Sequence, residues 1–222
     1  MKLGKLVELF RHAVDDTVAT AYLWSDAEAI SYAVDAENEA CRRARLLVDS
    51  STAEICQHSV AIDATYITLD SRVIFVKRAI VSGQITPLSR LNMRDLDENY
   101  PGWESHTGRI EGLVTDWETG KLRLYRIPTA VATINTTVVR LPLADMNDFE
   151  DTPEINARSH QGLINWMVYR AYLKPDKETY DATRASVALG MFEAEFGKKS
   201  SIEDEEWISR QYGGDDFDGA DR

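Results

Sequence analysis

The sequence predicts an α+β fold: helices from both ends of the chain packed as an antiparallel helical bundle, with a β-rich, sandwich-like insertion between them. Three observations predict it. Apolar residues recur at helical spacing near the start of the chain and again after residue 152. Between about 55 and 142, threonines, valines, aromatics and glycines become frequent and the apolar residues come in short runs. Finally, a chain of 222 residues can bury about 70% of its unfolded surface, enough for a core without disulfides. The expected parts are an N-terminal helical part (1–52), a β-rich domain (53–148), a C-terminal helical part packing with the first (149–197) and an acidic, partly disordered tail (198–222).

Each element has a local reason. Over 3–18, Leu3, Leu6, Val7, Phe10, Ala13, Val14 and Val18 form one apolar stripe. Ser25-Asp26-Ala27-Glu28 is a capping box that opens a second helix running to about Leu47. Its expected buried positions are Ile30, Val34, Cys41, Ala44 and Leu47. Arg72 to Lys77 reads as a buried strand, and Leu113–Trp117 with Lys121–Ile127 as a hairpin that turns at Gly120. Thr133 to Leu141 is a β-branched run stopped by Pro142. Thr152-Pro153-Glu154 carries the signals of a helix N-terminus, with Leu163, Trp166, Met167, Arg170 and Leu173 extending it. After Lys174-Pro175-Asp176 a last helix runs from Lys177 to Phe196, with Tyr180, Val187, Met191, Phe192 and Phe196 on one side and Gly197 as C-cap.

Charge and composition narrow the function. With 25 basic and 37 acidic side chains the net charge is −12, which repels duplex nucleic acid rather than holding it. The two cysteines, Cys41 and Cys56, fit reduced thiols, and no apolar run is long enough to span a bilayer. The opening Met1-Lys2-Leu3-Gly4-Lys5 leads into a periodic segment, not a signal peptide.

Catalytic signatures are missing. Neither a phosphate-cradling glycine loop nor a Gly-x-Ser-x-Gly elbow occurs, and His12, His58, His106 and His160 are isolated from one another. Asp95-Leu96-Asp97-Glu98-Asn99 begins like a calcium loop but has Tyr100 where the turn needs glycine, and reads as a solvated short helix. His12 with Asp15 and Asp16 allows an ion pair or a general base, against the simpler reading of a solvated helix face. Trp166, Tyr169 and Tyr172 read as core aromatics. No catalytic residue, metal or cofactor is expected.

Two features point to partners. Arg42, Arg43 and Arg45 either complement the dipole at the end of the second helix or touch an assembly partner or passing phosphates. In the tail, Ile202, Trp207, Ile208, Tyr212 and Phe217 punctuate eight acids and four bases. Such a segment docks on a partner, packs back on its own body, or stays disordered.

Leu96-Asp97-Glu98-Asn99-Tyr100-Pro101-Gly102-Trp103, Arg140-Leu141-Pro142-Leu143, Trp166 to Lys174 and Phe192-Glu193-Ala194-Glu195-Phe196-Gly197 resemble segments of the head–tail adaptor (connector) proteins of tailed bacteriophages. The likeness covers about residues 1–197. It implies a structural virion protein with no catalytic residues, assembled in the bacterial cytoplasm as a ring that is usually dodecameric. That ring docks under the portal protein, extends the DNA channel, and offers an attachment surface to a tail tube, nozzle or stopper protein. The implied partners are therefore the portal, a tail protein and further copies of the chain, with genomic DNA passing unbound and no membrane involved. Two other classes remain open: an acidic α+β module binding a ligand or peptide, and a metal-dependent hydrolase assembling Asp95, Asp97, Asp145 and Asp148.

Overall fold

In chain order the computed structural model, which describes residues 1–176 and 178–199, begins with helices α1 (Leu3–Ala13) and α2 (Asp26–Ala44). Strand β1 (Val48–Asp49), the single-turn α3 (Ala53–Cys56), β2 (Gln57–Val60), β3 (Tyr66–Thr68) and β4 (Val73–Val81) follow. Next come β5 (Ser89–Leu91), α4 (Met93–Asn99), β6 (Thr107–Gly108), β7 (Gly112–Glu118), β8 (Lys121–Tyr125), β9 (Ile127–Pro128) and β10 (Ala132–Arg140). Helices α5 (Leu163–Tyr172) and α6 (Ala182–Phe196) complete the described chain. The fold is α+β, as the sequence predicts. It divides into two compact units: a helical one of residues 1–47 and 140–199, and a β-rich one of residues 48–139.

In the helical unit, α5 packs on α6 and on α2, and α1 packs on α2 and α5. The capping box forms as expected: Glu28 N–H donates to Ser25 Oγ, and Ser25 N–H to the Glu28 carboxylate. The buried face of α2 differs from the expected one. Ala29, Ala33, Ala36 and Ala40 are buried with Cys41, whereas Ile30, Val34, Ala44 and Leu47 are only partly buried at its flanks. Alanines at the contact let helix axes approach closely, so the larger aliphatics are displaced to the sides. Helix α2 ends at Ala44, where Arg45 adopts a left-handed conformation (φ 53°) and its N–H returns to Cys41 O. At the point where the chain leaves this unit and re-enters it, Arg140 N–H donates to Leu47 O at 3.0 Å.

Three helix ends fall elsewhere than the periodicity predicts. Helix α1 stops at Ala13, not at Val18, because the buried Arg11 guanidinium binds the Asp16 carboxylate and forces the chain to turn through Asp15 (φ 57°). Val18 is left 61% exposed. Thr152-Pro153-Glu154 does not open a helix: the amides of Glu154 and Ile155 donate to the buried Glu37 carboxylate, and α5 starts only at Leu163. The predicted first residue of the last helix, Lys177, lies outside the described residues, and α6 begins at Ala182 with Asp181 capping Thr183 and Arg184 at 3.0 Å each. Gly197 ends it at φ 86°, in the conformation that favours glycine.

On α6 the predicted face is divided. Phe192 and Phe196 are buried with Ala185 and Ala188, while Val187 and Met191 are exposed, as is Tyr180, which precedes the helix. The ring of Trp166 lies 4.9 Å from that of Phe192, and Phe192 lies 4.7 Å from Phe196, so aromatic packing selects the inward side.

The β-rich unit holds two four-stranded sheets. In one, β10 pairs antiparallel with β1 (Val48↔Val139) and with β2 (Ala132↔Val60), and also pairs with β4. The other runs in the order β3-β8-β7-β5, with the predicted hairpin of β7 and β8 closed through Gly120 (φ 75°) and β5 parallel to β7. Ile67, Leu113, Leu122 and Leu124 of this sheet share one core with Val60, Ala79, Val81 and Ile134 of the first. Strand β4 is not the buried run expected over 72–77: it is buried only near its end, at Ala79 and Val81. Helix α4 covers Val114 and Tyr125 with Leu96, and Trp103 joins that cluster.

Candidate functional site

Chemistry-bearing side chains gather at two places in the helical unit. In the first, the Arg43 side chain is almost fully buried. It donates to Glu39 at 2.8 Å, reaches Glu193 at 3.5 Å, and meets Gly197 O at 3.4 Å. Its guanidinium also lies over the rings of Trp166 and Phe192, at 5.1 and 5.3 Å. Arg43 thus ties the end of α2 to the end of α6, and a planar, delocalised cation suits both the carboxylates and the rings. Arg42 points outward, half exposed, and pairs with Glu39 at 3.5 Å. Arg45 supplies the left-handed cap of α2. The three arginines that the sequence places together therefore occupy three different environments.

The second place surrounds Glu37, 2% exposed, whose carboxylate accepts the amides of Glu154 at 2.6 Å and Ile155 at 3.2 Å. Glu154 in turn holds Arg140 at 2.5 Å and the amide of Leu143 at 2.8 Å. Burial outweighs the two amide donors and pushes the Glu37 carboxyl above the ordinary glutamate value, with Glu154 and Asp145 adding to the rise. The Cys41 thiol nearby is pushed up to about 12, first by burial and then by Glu37. It stays protonated at neutral pH and is a poor nucleophile.

A pH prediction follows from Glu37. A carboxyl whose pKa is raised by folding withholds stability once it must ionise, and restores it as the pH falls through the raised value. Glu37→Gln keeps the amide-accepting oxygen without the charge. The variant is expected to be more stable than the parent at pH 7, with the difference shrinking toward pH ~4, near the ordinary glutamate pKa. Urea titrations of both proteins across that range check it; a difference that grows on acidification contradicts it.

The other sequence-predicted groups separate. Asp16 serves Arg11 in a buried pair, so it neither joins His12 in the ion pair that the sequence allows nor lies on the simpler solvated helix face. His160 is buried, with Nδ1 2.7 Å from the Met1 amine and Nε2 2.9 Å from Ile155 O, while His58 meets Thr136 Oγ1 at 3.2 Å. Asp97 accepts the Trp103 indole N–H at 2.8 Å, and Asp95 belongs to the short helix α4, as its acid-rich sequence suggests. Asp148 accepts the Glu150 amide at 2.9 Å. Among the described residues no three His, Cys, Asp or Glu side chains form a group able to hold a metal. Trp166 and Tyr172 are core residues, 8% and 6% exposed, with Trp166 Nε1 donating to Asp35 at 2.9 Å. The tail positions Ile202, Trp207, Ile208, Tyr212 and Phe217 lie outside the described residues.

Sequence reasoning missed the Glu37 centre and a cleft in the β-rich unit. The cleft, about 240 Å³, is lined by Val81, Gln84, Arg109, Ile110, Pro128 and Val131, among others. Nothing in the local pattern marks Glu37, which sits on a helix rich in acids. The cleft's walls come from segments far apart in sequence.

None of the described helices is long and apolar enough to cross a membrane. A comparison with curated proteins finds no relative. Residues 1–213 match the SU10 adaptor protein family. That match runs past Gly197, where the sequence likeness ends, and takes in Ile202, Trp207, Ile208 and Tyr212 but not Phe217. With nearly the whole chain matched, the protein belongs to the SU10 adaptor protein family, in keeping with the phage head–tail adaptors that its sequence resembles.

Proposed function

We propose that the chain is one subunit of a ring, dodecameric as in the adaptors it resembles, that seats under the portal protein, continues the DNA channel and presents a docking surface to a tail tube, nozzle or stopper protein. The observation that carries this reading is the family match over residues 1–213. Charge supports the channel role. At −12 per copy, a ring of such subunits repels phosphate, and DNA can pass without the counterion release that would hold it. Assembly, not chemistry, is the activity: repeated weak contacts among identical copies sum to a stable ring.

Within this reading the tail is the docking arm. Ile202, Trp207, Ile208, Tyr212 and Phe217 supply apolar contacts to the portal, and all but Phe217 fall within the family match. Arg42, half exposed at the end of α2, offers an assembly contact, with Arg43 and Arg45 holding the helix end that carries it. Deleting residues 198–222 is expected to leave the fold intact, because every described core residue precedes Gly197, and to weaken portal binding at least ~10-fold, a loss of about 1.4 kcal/mol. Circular dichroism and co-sedimentation with the portal protein measure the two effects. Portal binding unchanged by the deletion removes the tail from the mechanism. Solution mass with and without the portal tests the ring itself, since a chain that stays solitary in both is not a ring-forming adaptor.

A further inference from the structure

The largest mismatch between side-chain type and environment lies in the β-rich unit. Ile85 is 95% exposed, Val131 71% and Ile62 54%. These residues belong to three loops drawn to one end of the unit. Ala132 pairs with Val60, the Asp63 amide donates to Pro128 O at 3.0 Å, and the Ser82 amide donates to Thr133 O at 2.8 Å. The turn that presents Ile85 is closed by Gln84 N–H on Val81 O at 2.9 Å and needs a left-handed residue, which Gly83 supplies at φ 82°. Pro87 follows close behind, so the aliphatic side chain stands out on a short, stiff loop.

Beside this knob lies the cleft of about 240 Å³. An apolar cavity of ~150 Å³ already admits a benzene ring, so this one has room for a branched aliphatic side chain. Ile85 does not fill the cleft of its own chain, as its exposure shows. Charge says what can approach. Two copies at −12 each repel, and contact between them costs least where acids are few. Loops 61–65, 82–88 and 128–132 together carry one charged side chain, Asp63, while Arg109 stands at the cleft wall. Neither Arg109 nor Asp63 forms an ion pair among the described residues; the neighbouring Arg126 is taken by Glu111 at 3.1 Å. One unpaired cation and one unpaired anion on the same patch are complementary to a second copy of that patch.

We infer that this end of the β-rich unit is a contact between copies of the chain: Ile85 of one copy enters the cleft of another, and Arg109 and Asp63 pair across the junction. The inference rests on the reading that copies assemble, and adds a self-complementary contact that joins copies in pairs, separate from the head-to-tail contacts that close a ring. A protruding aliphatic seated in a preformed pocket, ringed by polar groups, has the anatomy of an interface hot spot.

Sedimentation equilibrium of the full chain tests it. The parent is expected to self-associate, and Ile85→Asp to weaken that association at least ~10-fold without changing the circular dichroism, because the side chain is already in solvent. Arg109→Asp and Asp63→Arg are each expected to weaken it, and the double exchange on one chain to recover most of the loss, since the pair is restored with reversed sign. If Ile85→Asp associates as the parent does, or the double exchange recovers nothing, this contact is overturned while a ring formed through other surfaces still stands. A parent that remains monomeric alone also overturns it; should Ile85→Asp then lose portal binding, the cleft belongs to the portal instead. The ring reading is decided separately, by the mass of the complex formed with the portal protein.

Discussion

Trp166→Ala is expected to cost ~3–5 kcal/mol of stability, the range for removing a large aromatic from a packed core. The side chain is 8% exposed, its ring lies 5.0 Å from Tyr169 and 4.9 Å from Phe192, and Arg43 sits over its face. The indole N–H donates to Asp35, which also faces Arg170 at 3.3 Å. Truncation therefore opens a cavity between α5 and α6, strips Arg43 of an aromatic partner and leaves Asp35 to Arg170. Trp117, 36% exposed on β7, meets Trp103 edge-on and lies under Arg123, and its loss is expected to cost less than that of Trp166 because more of the ring is already in solvent. Denaturant unfolding followed by far-ultraviolet circular dichroism compares the two. Equal costs at Trp166 and Trp117 contradict the packing described for α5 and α6.

Arg11→Met has a similar expected cost, ~3–5 kcal/mol, for a different reason: it breaks a buried ion pair and leaves the other charge in place. Arg11 and Asp16 have side chains 7% and 3% exposed, and meet at 2.9 Å. Arg11 also donates to Asp26 at 2.6 Å and to Trp24 O at 3.0 Å, and its guanidinium lies 3.4 Å from the Tyr22 ring centroid. Without the guanidinium, Asp16 keeps only the amides of Leu23 and Trp24, at 2.9 and 3.3 Å. Adding Asp16→Asn should recover a good part of the loss, because the orphaned charge disappears while the amide-accepting oxygen remains. A double variant no more stable than Arg11→Met places the cost elsewhere, in the packing of Trp24 and Phe10.

These two sites also show how much of the molecule is legible in one dimension. The capping box at Ser25 and Glu28, the turn at Gly120 and the stop at Gly197 were all readable, because each depends on residues within three or four positions of one another. The same holds for the burial of Phe192 and Phe196 and for the short solvated helix near Asp95. Val18, Thr152 and the start of the last helix were misjudged. At Val18 the buried Arg11–Asp16 pair turns the chain, and beyond Thr152 the amides of residues 154 and 155 are held by Glu37 of α2. Periodicity reports which faces are apolar, but it carries no information about a partner more than a hundred positions away.

The same division runs through function. The quoted segments and their order carried the resemblance to the phage adaptors, and charge and composition agreed with it, since net charge and linear motifs survive in the unfolded string. Tertiary structure alone decided that Arg42, Arg43 and Arg45 part company, that Glu37 is buried with a raised carboxyl pKa, and that Ile85 stands beside a cleft it does not fill. The physical reason is that burial, electrostatic environment and cavity shape are properties of neighbours in space, and those neighbours are chosen only when the helices and sheets have packed.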